Sequence, residues 1–526
     1  MKKISLLLVL VLLFVSLMSG CSQPAAPTTA APTTAAPTTA APTTAPPAPA
    51  KDKLVIAMGA APSELDGNGK NDSPSLQVRL QMYETLVALD ESMNIIPAIA
   101  ESWEYKDEST LVFKIREGVK FHDGTELKAS DVAFSLIRGD QMGYVGNNLK
   151  VIDFEKSGAT GDYEYTMVLK FPFAPVLSAL TVGAAAMVSE AYVGDHDLDF
   201  LARNPNGTGP YMLKEWFEGD RIELVKFDDY WEETKGVKEL VFRFIPEAAN
   251  RAIEIEVGGV DIAYEISPND TLRLQGDPKV QVAVGNNLST VYIGFNYTKE
   301  NLQDKRVRQA VSWALDLDPI VEAVYFGLGS QGKNLIAPSV WGYSENVPQY
   351  GYDPEKAKQL LADAGYPNGM TTKIWTSNNQ QRMDIAEIMQ NQLAAVGITA
   401  EVEVIEWGNF LVALQNKELD IYLLGISAST GDGDALYNQF HSTSPFSGNT
   451  GYYQNAELDA LLEQSRLETD PVERAKVLEK VQQFVMEELP WIPVWHGVNS
   501  TGLGLDVEGF VNSPSGTHIL KNVHFK

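Results

Sequence analysis

The sequence predicts an α/β fold, and two stretches carry that expectation. Between Thr371 and Gly425, strand and helix patterns alternate. An apolar strand at Thr371–Thr376 is followed by a helical stripe at Asp384–Val396, with Ile385, Ile388, Met389 and Leu393 on its buried side. Ile398–Ile405 then alternates as a strand, and Leu419–Gly425 is a further apolar strand. Strand–helix–strand order of this kind builds a parallel sheet. Earlier in the chain, Leu111, Phe113 and Ile115 alternate with Val112, Lys114 and Arg116, the period of a half-buried strand. With 526 residues, 44% of them hydrophobic, the chain can bury a large core and form two or more domains.

Residues 2 to 21 read as an export signal. Lys2 and Lys3 form a charged start, and Ile4 to Leu17 form an apolar stretch too short for a membrane span. Leu17-Met18-Ser19-Gly20-Cys21 resembles a bacterial lipobox, with Met18 where Leu is commonest. Cys21 is the only cysteine, so a disulfide within one chain is excluded. Ser22 to Ala50 repeats Ala-Ala-Pro-Thr-Thr and has no apolar face to bury. It reads as a disordered, semi-stiff tether reaching ~90 Å when extended. The rest of the chain holds 39 bases against 69 acids, a balance of −30. That charge argues against nucleic-acid partners and anionic lipid surfaces.

The elements follow in order. Leu54–Ala57 is a buried strand. The Leu111–Arg116 strand leads through Glu117-Gly118 to a second strand at Val119–His122, with Asp123-Gly124 as a turn. Val132 and Leu136 start a helix that Asp131 suits at its positive end. Gly207 and Gly209 read as a plain turn before a strand at Ile222–Phe227. Asp304 caps a helix bearing Val307, Ala310, Val311, Ala314 and Leu315, on which Arg306 and Arg308 read as solvated or salt-bridged. Gly327-Leu328-Gly329-Ser330-Gln331-Gly332 matches GxGxxG but follows a helix, so it does not predict a dinucleotide site. Asp353-Pro354 opens a helix that Gly365 closes. Two late helices, Glu457–Glu468 and Pro471–Glu488, precede the stretch Trp491-Ile492-Pro493-Val494-Trp495.

The string FKIREGVKFHDGTELKASDVAFS, residues 113 to 135, resembles the signature of the peptide- and nickel-binding extracytoplasmic solute-binding proteins, family 5, which serve ATP-driven importers. Lys128 stands where that family usually has Thr, which removes a good N-cap. Further family-like strings lie at Met82–Val87, Gly207–Tyr211 and Asn296–Tyr343, so the resemblance covers nearly the whole mature chain. It implies a periplasmic-binding-protein type II fold, with two lobes joined by a hinge and an extra inserted α+β domain. The division it suggests is a signal at 1–21, a linker at 22–50, and a first lobe from 51–92, 208–297 and 495–526. The insert would span 93–207, and the second lobe 298–494.

The resemblance also implies function: a lipid-anchored, monomeric receptor on the outer face of the cytoplasmic membrane or in the periplasm. It would bind a short peptide between its lobes and deliver it to ABC permease subunits with cytoplasmic ATPases. It would need no cofactor or metal and catalyse nothing. Nickel-chelate or oligosaccharide binding are the alternatives within the family. A secreted hydrolase is the alternative from another class, but GxSxG and HExxH are both absent from the sequence.

Site residues follow from this. In peptide-binding relatives an Asp in the loop matching Ser427–His441 pairs with the peptide α-amino group. Asp432 in Thr430-Gly431-Asp432 fits best and Asp434 is second; the alternative is a solvated acidic turn. A Trp common before that loop is replaced here by Ile426 and Ser427. Arg382 is placed to receive a peptide carboxylate through its bidentate fork, or else to pair with Asp384 or Glu387. Trp407, Trp495, Tyr452 and Tyr453 are candidate pocket walls or core residues. No metal spacing joins the six histidines, although His441 follows the proposed loop.

Overall fold

Two long strands, Val280–Phe295 and Trp491–Gly504, run antiparallel through the middle of an 11-stranded sheet. The computed structural model describes residues 51–70, 72–143, 149–444 and 448–526. The export signal, Cys21 and the Ala/Pro/Thr tract lie outside the described residues. From the first of the two central strands the sheet continues outward through Ile421–Ser427, Met370–Ser377 and Ile398–Ile405. From the second it continues through Ile262–Ala263, Lys53–Met58 and Glu239–Phe244, then Arg221–Lys226 and Tyr211–Phe217.

The α/β expectation holds. Met370–Ser377 pairs in parallel with both Ile398–Ile405 and Ile421–Ser427, with the helix Gln380–Ala395 as the crossover. That helix starts before the apolar stripe does. Asn379 caps it, accepting a hydrogen bond from the Arg382 N–H at 3.0 Å. Gly397, at φ +92°, lets the chain turn straight into the next strand. Around this half of the sheet packs one large core, including Ile293, Phe295, Ile374, Leu423 and Trp491. Trp491 stacks on Tyr292 with ring centres 3.8 Å apart. The other half has its own core of Leu54, Ile56, Leu224, Phe242 and Ile262.

A separate four-stranded antiparallel sheet is built from Ala100–Asp107, Thr110–Ile115, Glu164–Val168 and Gly158–Gly161. It packs its own core of Leu111, Phe113, Ile115, Val132 and Leu136. The expected strand Val119–His122 does not form: the turn at Gly124, φ +86°, leaves only an isolated bridge between Lys120 and Glu126. Lys128 gives the helix Ala129–Met142 no side-chain cap. Asp131 Oδ2 compensates by accepting from the Lys128 N–H at 2.9 Å.

Gly207 and Gly209 are not a plain turn. A β-carbon at Gly207 would stand 2.1 Å from the Met82 carbonyl oxygen, and one at Gly209 2.5 Å from the Met82 carbonyl carbon. The chain passes hard against that backbone, and the Gly209 N–H donates to the same oxygen at 2.9 Å. The glycines of the 327–332 string likewise allow close approach, because Gly332 would press a β-carbon to 2.7 Å from the Pro493 backbone. Arg306 is paired with Asp304, and Arg308, which is buried, pairs with Glu488 at 3.7 Å and donates to the carbonyls of Leu302, Gln303, Glu488 and Leu489.

Candidate ligand-binding cleft

The two central strands lose register at two places, between Asn286 and Thr290 and between Val291 and Tyr292, and the first of these shapes the cleft. Asn286 faces Val498, the next pair is Thr290 with His496, and the residues between are bulged. A bulge twists a ladder locally and re-aims side chains. Gly497 is required opposite: a β-carbon there would lie 2.6 Å from both Asn287 Oδ1 and Ser289 Oγ. Asn287 Oδ1 instead accepts from the Ser289 N–H at 2.9 Å and its hydroxyl at 2.7 Å.

A cavity of about 560 Å³ opens at this bulge, between the two halves of the sheet. One wall comes from Tyr264–Pro268, Val498–Thr501 and Pro514–Gly516, with His518. The facing wall comes from Asn287–Ser289, Leu328, Gln381, Ser427 and Trp495. Hydroxyls and amides dominate, with aromatic faces at Tyr264 and Trp495. The buried Tyr264 hydroxyl has no hydrogen-bond partner among the described residues. Trp495 is fixed by stacking on Tyr325 at 3.9 Å and by donating from Nε1 to the Leu328 carbonyl at 2.8 Å. Burial depresses His518 to about 4, so it is neutral at pH 7.

The sequence-based candidates separate here. Trp495 lines the cleft. Arg382 stands beside Gln381 in the first turn of its helix, with Nη2 3.1 Å from where a β-carbon at Gly425 would be. It is half-buried, and burial lowers its guanidinium below the usual value. Among the described residues it makes no ion pair, so the alternative pairing with Asp384 or Glu387 is not present. Gln380 donates to Asp384 instead, at 2.7 Å.

Asp432 and Asp434 are placed differently from the expectation of a free carboxylate. Asp432 is only 3% exposed. Arg474 holds it with two bonds of 2.5 and 2.9 Å, the Asp434 N–H donates at 2.7 Å and Ser178 Oγ at 3.2 Å. Arg466 holds Asp434 bidentately at 2.6 and 2.8 Å. Both carboxylates thus already have cationic partners, supplied from late helices far along the chain. They tie the loop to Ser178, and Ala174 N–H donates to the Arg466 carbonyl at 2.8 Å on the same seam. Tyr453 is a core residue, 4% exposed and packed edge-on to Tyr297. Tyr452 donates to the Leu414 and Gln415 carbonyls. Trp407 is 42% exposed and stacks on Phe410, away from the cavity lining. His441 is buried against Tyr437 and bonded to Thr443.

Most of the cleft was not singled out in the sequence. The available signal was two polar runs, Asn286-Asn287-Leu288-Ser289-Thr290 and Val498-Asn499-Ser500-Thr501. Each interrupts an otherwise strand-like stretch.

The comparisons with known proteins are consistent in kind. Residues 94–448 match the model of bacterial extracellular solute-binding proteins, family 5 (middle). Heme-binding protein A of Haemophilus influenzae is 32% identical over 476 residues, covering 83% of this chain and 85% of the relative. A glutathione-binding protein of Escherichia coli O1:K1 is 30% identical over 460 residues, covering 85% and 89%. The periplasmic binding protein DppA of Helicobacter pylori, solved with the peptide STSA, superposes with a TM-score of 0.75 at 27% identity. That superposition covers 90% of this chain and 98% of the other.

Proposed function

The chain belongs to the bacterial extracellular solute-binding proteins, family 5, and we propose that the solute it carries is a short peptide. Members of this family are the substrate-binding receptors of ABC importers rather than enzymes. The observation that carries the peptide reading is a polar cleft of about 560 Å³ with an aromatic wall at Trp495, together with the half-buried Arg382, which follows the lining residue Gln381 and makes no ion pair among the described residues. A planar guanidinium with no acidic partner suits a terminal carboxylate. Backbone amides suit the hydroxyl and amide lining. Two relatives point the same way: glutathione is a tripeptide, and DppA holds a tetrapeptide.

In this reading the first half of the long sheet and the second are the two lobes, and Asn287–Ser289 with Gly497 form the hinge. The four-stranded sheet is the inserted domain. The two lobes close on the ligand, and the loaded protein docks on the permease as a monomer. Cys21 holds it to the membrane by a lipid. A Cys21→Ala protein recovered in membranes at its mature size would refute the anchor.

The test of the ligand is native mass spectrometry after incubation with a tripeptide mixture. One peptide per protein, recovered uncleaved, is expected. Arg382→Ala should weaken retention by about tenfold or more, the scale of a lost charged hydrogen bond. No adduct on the wild type, or cleaved peptide, would contradict the proposal. A second reading rests on the Haemophilus relative: a heme-loaded protein would show a Soret band on purification.

A further inference from the structure

Glu265 is the one acidic or basic side chain, neutral His518 aside, among the described residues lining the cleft. Its backbone lies at φ +52°, a left-handed conformation that costs strain in any residue with a β-carbon. The buried Arg251, on the helix Ala248–Glu256, holds it there. Arg251 Nε donates to the Tyr264 carbonyl at 2.8 Å and Nη2 to the Glu265 carbonyl at 2.7 Å. Nη1 donates to the carbonyls of Ile245 and Pro246, each at 2.8 Å.

With four of its five N–H groups given to carbonyls, Arg251 makes no ion-pair contact with the Glu265 carboxylate, although the two charges attract through space. Glu265 Oε2 lies 3.3 Å from where a β-carbon at Gly59 would stand, so the side chain sits over the end of the strand Lys53–Met58. Neither carboxylate oxygen accepts a hydrogen bond among the described residues. A turn serving only to join a strand to a helix would relax with glycine or asparagine at this position. Here a charged side chain is instead held in a strained turn and faces the cavity.

We propose that Glu265 recognises the cationic end of the ligand, pairing with its ammonium group while Arg382, on the facing half, takes the carboxylate. This rests on the peptide reading and adds a direction to it. Arg382 does not itself line the cavity but follows the lining residue Gln381, so a zwitterionic ligand reaching from Glu265 past Gln381 would bridge the two halves. Each contact is a charge-assisted hydrogen bond that strengthens as water leaves. Binding and closure are then favoured by the same two groups.

Three pools of Ala-Xaa-Ala tripeptides test this: one with both ends free, one N-acetylated and one C-amidated. Each is equilibrated with wild-type protein and with Glu265→Gln, and retained peptide is counted by mass spectrometry. The wild type should prefer free over acetylated peptides by about tenfold or more. Glu265→Gln should lose that preference, keep the preference for free over amidated carboxyl ends, and melt at the wild-type temperature. Acetyl discrimination that survives in Glu265→Gln, or is lacking in the wild type, would overturn the assignment while leaving the peptide reading intact. A wild type that retains none of the pools would overturn both.

Discussion

At the scale of single residues, the buried pair Asp432–Arg474 is the clearest case of charge used for structure. Its carboxylate is 3% exposed and accepts four hydrogen bonds. Removing it strands a buried guanidinium. Asp432→Ala should therefore destabilise the fold by about 3–5 kcal/mol in urea titrations. Replacing Arg474 with Leu as well should recover part of that loss. An unchanged midpoint in the single variant would show the pair to be unimportant.

Acid sensitivity follows from three histidines largely withdrawn from water. Burial depresses His122, His496 and His518 to about 4, against an ordinary value near 6.5. The unfolded chain takes up these protons first. The stability they represent is intact above about pH 6.5 and is lost as pH falls towards 4, by up to about 1.4 kcal/mol per pH unit for each. Glu84, raised by burial among Tyr230, Trp231 and Thr208, acts in the opposite sense. Unfolding free energies measured between pH 6.5 and 4 should decline. A flat or rising profile would contradict the assignment.

At the scale of elements, punctuation in the sequence was legible and partnership was not. Asp353-Pro354 opens a helix and Gly397 closes one because each acts on its own backbone, within a turn. The roles of Asp432 and Asp434 depended on Arg474 and Arg466, which a local reading of Thr-Gly-Asp cannot see. The cleft walls were harder still. They come from Ser73 and seven segments between Tyr264 and His518, which meet around the strand bulge. Glycines behaved similarly. Gly207 and Gly209 looked like a turn, but the constraint is the Met82 backbone on another segment. Gly209→Ala should displace that contact and cost about 1–3 kcal/mol, the scale of an overpacked core. Gly118→Ala, with open space around its β-carbon, should show only the smaller cost of its positive φ. Equal losses at the two sites would refute the close-approach account.

At the scale of the whole molecule, one sheet passes through two cores, and its two central strands form the ladder at which the two halves meet. Register is lost where the cavity opens, so a ligand bound there would touch both halves of the sheet. The Asp432 and Arg466 seam adds a further contact, between the half that carries Ile421–Ser427 and the segment carrying Ala174 and Ser178. Hydrogen–deuterium exchange tests this account most directly, comparing protein stripped of ligand with protein saturated with the tripeptide it retains best. Protection should rise together on the two walls, at 264–268 and 498–501 on one side and at 287–289 and 427 on the other. Protection confined to one wall, or appearing elsewhere on the chain, would contradict it.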